Sequence, residues 1–126
     1  MGPINIVLAH RDPALTENLV RSIQKRFRIV ETANSPDEIR CTVARLRAQL
    51  AIVDLELINF SELEELCREF PATAFVCTHR LADDGMWSQS LAMGAVDCCL
   101  ASDLQTIVQA SDRYVAIKES VATSAA

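Results

Sequence analysis

A chain of 126 residues, half of them hydrophobic, is long enough for one domain with a substantial core and too apolar for intrinsic disorder. Its net charge of −5 argues against direct binding of this domain to nucleic-acid backbone or to an anionic membrane surface. The sequence contains neither a signal peptide nor a stretch of transmembrane length, so we expect a cytoplasmic protein.

Five short apolar segments alternate with amphipathic segments along the chain. The apolar segments predict strands at residues 4–9, 28–32, 50–55, 74–78 and 96–100, and the segments after them predict five helices. Consecutive apolar residues are typical of strands that are covered on both faces. This order predicts right-handed crossovers and a doubly wound α/β fold, with a five-stranded parallel sheet of order 2-1-3-4-5 flanked by five helices.

Polar residues mark where the helices begin. Asp12 followed by proline fits the start of the first helix, and capping boxes begin at Ser35, Ser61 and Ser102. These signals predict the second, third and fifth helices.

The fourth helix is predicted from about Gly85, with Gly94 as its C-cap and Trp87 in the core. We expect a single domain over residues 1–120. Residues 121–126 are expected to be a frayed tail or a truncated linker.

The predicted strand order brings several side chains together at the carboxyl edge of the sheet. Strands one and three are neighbours where the strand order reverses, which is where α/β sheets place their ligand sites. His10 and Arg11 follow strand one, and Asp54 ends strand three. Thr78 and Ala101 end strands four and five and complete the rim of this crevice.

With these elements in register, the chain resembles the receiver domain of two-component response regulators over about residues 4–118. The resemblance rests on Asp54, Thr78, the pair Gly94-Ala95 before strand five and Pro13 after strand one. It implies a flavodoxin-like fold and a role in phosphorelay signal transduction. In that family a histidine kinase phosphorylates the aspartate at the position of Asp54, and the hydroxyl at the position of Thr78 acts as a switch.

The chain departs from the family's pattern at most other pocket positions. The acidic pair that holds Mg²⁺ in the family falls on His10 and Arg11, and the phosphate-binding lysine falls on Ala101. The switch aromatic falls on Cys98, and Glu56 stands where a backbone carbonyl contacts the metal. The resemblance therefore implies a degenerate pocket, or pseudo-receiver, with no metal and no other cofactor.

Charge favours an ion pair where the family has its metal. Asp54 and Arg11 leave the crevice close to neutral, whereas Mg²⁺ favours sites rich in carboxylate oxygen. A guanidinium beside Asp54 would also repel a cation. We expect Arg11, assisted by Arg80, to pair with Asp54.

Three functions remain open on the sequence. The first is a non-enzymatic module that acts without phosphorylation through contact with a histidine kinase, an output domain or another regulator. The second is a working receiver, a phosphoprotein modified on Asp54 with Mg²⁺. The third is a metal or small-ligand sensor that uses His10, Asp54 and His79, although His79 is expected to be exposed in a loop.

The expected interaction surface follows from the resemblance and comprises the fourth helix, the fifth strand and the fifth helix. Its residues include Trp87, Met93, Asp97, Gln105 and Asp112. The same face is where a homodimer would form. No direct contact with nucleic acid or membrane is expected.

The chain has five cysteines, at positions 41, 67, 77, 98 and 99. They are odd in number and lack the Cys-x-x-Cys spacing of redox and zinc motifs. In a reducing compartment this pattern predicts small buried hydrophobic side chains.

Overall fold

The computed structural model describes residues 5–10, 14, 17–18, 20–21, 29–81, 83–103, 105–110 and 113. Within these residues, five parallel strands form one sheet in the order β2-β1-β3-β4-β5. The strands are β1 (Asn5–Ala9), β2 (Ile29–Thr32), β3 (Leu50–Asp54), β4 (Ala74–His79) and β5 (Asp97–Leu100). The predicted α/β fold and its strand order are confirmed.

Helices connect the strands. Those with described bounds are α1 (Pro36–Leu46), α2 (Phe60–Glu69) and α3 (Asp84–Met93). Residues 105–110 are also helical and are called the last helical segment, and the described residues between β1 and β2 include further helical positions. The predicted fourth helix corresponds to α3. Among the described residues, no helix combines the length and the apolar character needed to cross a membrane.

The helices begin where side chains accept the first backbone hydrogen bonds. Ser35 caps α1 as predicted, with Pro36 at the first helical position. Helix α2 begins earlier than expected, because Asn59 and not Ser61 is its N-cap. Asn59 Oδ1 accepts from the N–H of Glu62 at 2.7 Å, and Glu62 Oε1 accepts from the N–H of Asn59 at 2.9 Å. Asparagine caps at least as well as serine, and Glu62 completes the reciprocal pair.

Two further helix ends are fixed by local geometry. Asp103, one residue after the predicted Ser102, accepts from the N–H and the hydroxyl of Thr106 at 3.1 and 2.7 Å, and these bonds lower the pKa of Asp103. Gly94 is the C-cap of α3, as predicted, with a φ of 113°. The predicted helix start at Asp12 and the predicted tail at residues 121–126 lie outside the described residues.

Helices cover both faces of the sheet, and alternate strand residues point to opposite faces. One face packs Val7, Ala51, Val53, Phe75 and Cys77 against Ile39, Val43, Leu63 and Leu66 of α1 and α2. The other face packs Ile6, Leu8, Ile52, Val76 and Cys99 against Val20, Ile107 and Ala110. The two cores fix the strands, so the positions of the side chains at their carboxyl ends are fixed as well.

Candidate functional site

Four side chains form a row along the carboxyl edge of the sheet. Asp54 of β3 lies opposite Thr78 of β4, and Thr78 lies opposite Cys99 of β5. His10 directly follows β1, which pairs with β3, and therefore lies beside Asp54. All four side chains are buried. The structure thus brings together His10, Asp54 and Thr78 as the sequence predicted, and it adds Cys99, which the sequence reasoning missed.

Asp54 is 1% exposed, and both of its carboxylate oxygens face nitrogen atoms of the same chain. Oδ1 accepts a hydrogen bond from the backbone N–H of Glu56 at 2.9 Å. Oδ2 lies 3.7 Å from Nδ1 of His10, whose ring is also buried. The Asp54 carbonyl accepts from the N–H groups of Leu57 and Ile58, which closes the turn after β3. This turn holds the carboxylate rigidly in place.

The predicted arginine partners of Asp54 need revision. Arg11 lies outside the described residues, so its pairing with Asp54 stays a prediction. The side chain of Arg80 is 75% exposed and forms an ion pair with Glu56, with its Nε 2.7 Å from Glu56 Oε1. The side chain that the described residues place beside Asp54 Oδ2 is instead His10, at 3.7 Å, and histidine is a cation only when protonated.

His79 ends β4 and is mostly buried, so its predicted exposure in a loop is wrong. Its Nδ1 accepts a hydrogen bond from the N–H of Leu81 at 2.9 Å. A neutral ring in this geometry carries its proton on Nε2, which lies 3.8 Å from Glu56 Oε1. His79 and Arg80 therefore both face Glu56, and together they tie the turn after β3 to the end of β4.

The described residues do not fit a metal site. Nowhere in this part of the chain are three or more His, Cys, Asp or Glu side chains grouped so that they could hold a metal ion. Mg²⁺ needs oxygen ligands in near-octahedral geometry, usually from carboxylates and waters. The Asp54 oxygens instead face an N–H group and an imidazole nitrogen. The geometry supports neither the magnesium ion that a working receiver would need nor a sensor site made by His10, Asp54 and His79.

Thr78 and Ala101 complete the rim of the crevice. Thr78 is fully buried, and its Oγ1 has no hydrogen-bond partner among the described residues. Leaving such a hydroxyl unsatisfied costs about 1–3 kcal/mol, so it is a ready donor to an oxygen atom bound in the crevice. Ala101 is buried and donates its N–H to the carbonyl of His79 at 3.1 Å. Its methyl group brings no charge to the position where the resemblance expects lysine.

The predicted interaction face carries exposed apolar side chains. Trp87 is 46% exposed, so its predicted place in the core is wrong. Its Nε1 donates to Asp97 Oδ1 at 3.1 Å, and α3 buries Ser90 against the sheet instead. Leu100, at the end of β5, is 44% exposed. Asp112, which was also predicted on this face, lies outside the described residues.

Comparisons with known proteins agree with this fold. No protein-family model matches the sequence, and no curated protein matches it. Among solved structures, a two-component response regulator of the LuxR family from Aurantimonas sp. SI85-9A1 is similar, with a TM-score of 0.80 and 18% identity over 91% of this chain and 86% of that chain. A CheY-like response regulator receiver domain protein from Methanospirillum hungatei JF-1 matches with a TM-score of 0.80 and 17% identity, over 94% of this chain and 98% of that chain.

A third similar structure contains a modified aspartate. It is a response regulator from Burkholderia pseudomallei with a phosphorylated aspartic acid, a calcium ion and citrate, and it matches with a TM-score of 0.76 and 19% identity over 93% of this chain and 71% of that chain. At these identities the comparisons show that the fold is that of response regulator receiver domains. The chemistry of this chain must be argued from its own residues.

Proposed function

We propose that this chain is a receiver module of two-component signal transduction that acts by protein–protein contact without phosphorylation of Asp54. The observation that carries the proposal is the closed environment of the Asp54 carboxylate, which faces the N–H of Glu56 on one side and His10 on the other. The module is non-enzymatic in this proposal and needs no cofactor.

The electrostatics of the crevice support this proposal. Transfer of a phosphoryl group requires cationic groups that neutralise the charge on its oxygens. Ala101 supplies no charge, and the Arg80 guanidinium is held by Glu56. His10 faces Asp54 Oδ2, a carboxylate oxygen that an incoming phosphoryl group would have to approach. The described residues therefore supply little of the stabilisation that the reaction needs.

The proposed contact surface is the face formed by α3, β5 and the last helical segment. Trp87 and Leu100 expose apolar area there, and such side chains are common anchors in protein interfaces. We expect this face to bind a histidine kinase, an output domain or another regulator, or a second copy of the chain, in the cytoplasm. Neither nucleic acid nor membrane is an expected partner, given the net charge of −5.

A second candidate function is phosphorylation of Asp54 by a histidine kinase. The observation in its favour is Thr78, whose buried Oγ1 lies beside Asp54 without a hydrogen-bond partner among the described residues. A phosphoryl oxygen on Asp54 would be a suitable acceptor for this hydroxyl. In this case Mg²⁺ would have to be held by groups other than those described above.

Chemical phosphorylation distinguishes the two functions. The protein is incubated with acetyl phosphate and Mg²⁺ and its intact mass is measured, with Asp54→Ala as the control. The first function predicts no increase in mass and no Mg²⁺-dependent change in Trp87 emission when beryllofluoride is added. A mass increase that disappears in Asp54→Ala would establish the second function and reject the first.

A reconstructed pocket supplies the positive control. His10→Asp and Arg11→Asp restore the acidic pair of the family, and Ala101→Lys restores its lysine. We expect this triple variant to bind Mg²⁺ more tightly than the parent protein and to gain phosphorylation on Asp54. If it folds, as judged by circular dichroism, but gains neither property, then these positions do not explain the closed pocket.

A further inference from the structure

Three cysteines meet on the face of the sheet that α2 and α3 cover, away from the Asp54 row. Cys77 of β4 and Cys98 of β5 are direct neighbours in the strand register, and both side chains belong to the same core. Cys67 of α2 packs against that core, and its Sγ lies 3.3 Å from the position that a Cβ on Gly94 would take. No disulfide joins any of the five cysteines, all of which are described.

The register places Cys77 and Cys98 within reach of a disulfide. Neighbouring strands lie about 4.8 Å apart, and the Cα atoms of a disulfide are usually about 4.4–6.8 Å apart. Both side chains point to the same face, so their Cβ vectors do not diverge. Because the Cβ atoms of a disulfide are about 3.8 Å apart, closing the bond requires a movement of about 1 Å between the strands. Among the described strands β5 is at the edge of the sheet, where a shift of this size disturbs the pairing with β4 alone.

The surroundings set how readily these thiols react. Burial raises the pKa of Cys77 and of Cys98. Thiolates are the reactive form, so the pair is slow to oxidise at neutral pH. Cys98 lies on the edge strand and is slightly exposed, whereas Cys77 is fully enclosed, so an oxidant reaches Cys98 first.

A short chain of contacts connects Cys98 to the exposed face. Asp97 Oδ1 accepts a hydrogen bond from the N–H of Cys98 at 2.8 Å and another from Trp87 Nε1 at 3.1 Å. A shift of Cys98 therefore moves the acceptor that positions the exposed indole. Cys98 and Trp87 are therefore connected through one atom, Asp97 Oδ1.

We propose that hydrogen peroxide converts Cys77 and Cys98 into an intrachain disulfide and that this modification alters the surface around Trp87. The Cys98 sulfur attacks one peroxide oxygen, the O–O bond breaks, and a sulfenic acid and water form. The Cys77 thiol then displaces the hydroxyl group as a second water, and the S–S bond forms. Two electrons pass from the two sulfurs to the peroxide. The proposal does not depend on the function proposed above, because it concerns the isolated protein.

Peptide mapping tests the proposal on the unmodified chain. The protein is treated with hydrogen peroxide, remaining thiols are alkylated, and trypsin is used without reduction. Cleavage after arginine separates the thiols, because Cys67 lies in residues 48–68, Cys77 in 69–80, and Cys98 in 81–113. We expect peptide 69–80 to be joined to peptide 81–113 in monomeric protein, and the link to disappear in Cys98→Ser.

Two variants serve as controls. Peptide 81–113 also contains Cys99, so the link must persist in Cys99→Ser. It must also persist in Cys41→Ser, which changes an exposed cysteine on α1. The proposal is overturned if peptide 48–68 is the one joined to 69–80, if Cys99→Ser removes the link, if the link joins two chains, or if folded protein forms no link.

Trp87 emission tests the second half of the proposal. The chain has one tryptophan, so its emission reports this position alone. Formation of the disulfide should change the emission, dithiothreitol should restore it, and Cys98→Ser should show no change. A disulfide that forms without any change in emission would refute the coupling to the surface.

Discussion

The contact between His10 and Asp54 can be tested with a double-mutant cycle. The variants are His10→Ala, Asp54→Asn and the combination of both. Asparagine keeps an oxygen that can accept from the N–H of Glu56 and removes the negative charge. Both residues make further contacts, and the cycle separates the energy of this one pair from the rest.

The structure sets the expected magnitude. His10 Nδ1 and Asp54 Oδ2 are 3.7 Å apart, and the two side chains are 5% and 1% exposed. Two unit charges at this distance interact by about 4 kcal/mol at an effective dielectric constant of about 20. A neutral imidazole at 3.7 Å is too far for a good hydrogen bond and would contribute less than about 1 kcal/mol. A charged pair therefore predicts a coupling energy above about 2 kcal/mol.

The assay is urea unfolding of the four proteins at pH 7, followed by circular dichroism. The matched control is a cycle on Arg80→Ala and Glu56→Gln, an ion pair at the same edge of the sheet whose arginine is largely exposed. Exposed pairs contribute about 0–1 kcal/mol, so the control coupling should fall in that range. A His10–Asp54 coupling no larger than that of the control would refute an electrostatic role for His10 beside the Asp54 carboxylate.

Three other changes test the fold, with urea unfolding as the measurement. Gly94→Ala should lower the unfolding free energy by about 1–3 kcal/mol, because its φ is 113° and the new Cβ would lie 2.8 Å from Cys67 Cβ. Asn59→Ala should lower it by about 1 kcal/mol, because the capping box of α2 is lost. Burial raises the pKa of Cys99 from 9.0 to about 12, so the unfolded chain loses this thiol proton at lower pH than the folded protein does. The unfolding free energy should therefore fall as the pH rises from 9 toward 12. Cys99→Ala should make this fall smaller.

Each of these predictions has a control. Gly85→Ala lies within α3, where the new Cβ would meet only Asp83 Oδ1 at 3.4 Å, and should be neutral or stabilising by up to about 1 kcal/mol. Asn59→Ser should retain most of the capping energy. Cys41→Ala changes an exposed thiol and should leave the alkaline decline unchanged. The explanations fail if the controls and the test variants behave alike.

The sequence predicts the strands well and the helix starts less well. Each described strand lies within one residue of its predicted bounds, because the predicted runs are mostly apolar and those of β1, β3 and β4 are buried on both faces. The start of α2 was misplaced because Asn59 and Ser61 are both good caps with a glutamate three residues later. The sequence alone does not show which of two competing caps the chain uses.

The sequence alone also does not predict which face of α3 packs against the sheet. The spacing of Trp87 and Leu91 indicates that they share a face, but it does not say which face meets the sheet. The small Ser90 packs against the sheet, and the indole stays at the rim, where Asp97 accepts its N–H. A buried indole N–H would need a hydrogen-bond acceptor inside the core. Asp97 accepts this hydrogen bond at the surface instead.

The site was predictable as far as the ends of the strands determine it. Asp54 and Thr78 were placed together because parallel strands end at one edge of the sheet. The partner of Asp54 depended on details that composition and spacing do not contain, namely which residue after β1 turns toward the carboxylate. His10 continues the alternation of Ile6 and Leu8, which face the same core, and that alternation is the signal that favours it.

The residues that define the fold are largely separate from those that line the crevice. The sheet is held by apolar strand residues and by helix caps, and of the row formed by His10, Asp54, Thr78 and Cys99 only Cys99 belongs to either core. Changes at His10 or Ala101 would therefore alter the chemistry of the crevice without removing the packing that defines the fold. On the opposite face of β4 and β5, the strand register places Cys98 beside Cys77. If both proposals hold, the surface around Trp87 responds to oxidation of Cys77 and Cys98 and not to phosphorylation of Asp54. Asp97 contacts both Cys98 and Trp87 directly, whereas His10 closes off Asp54.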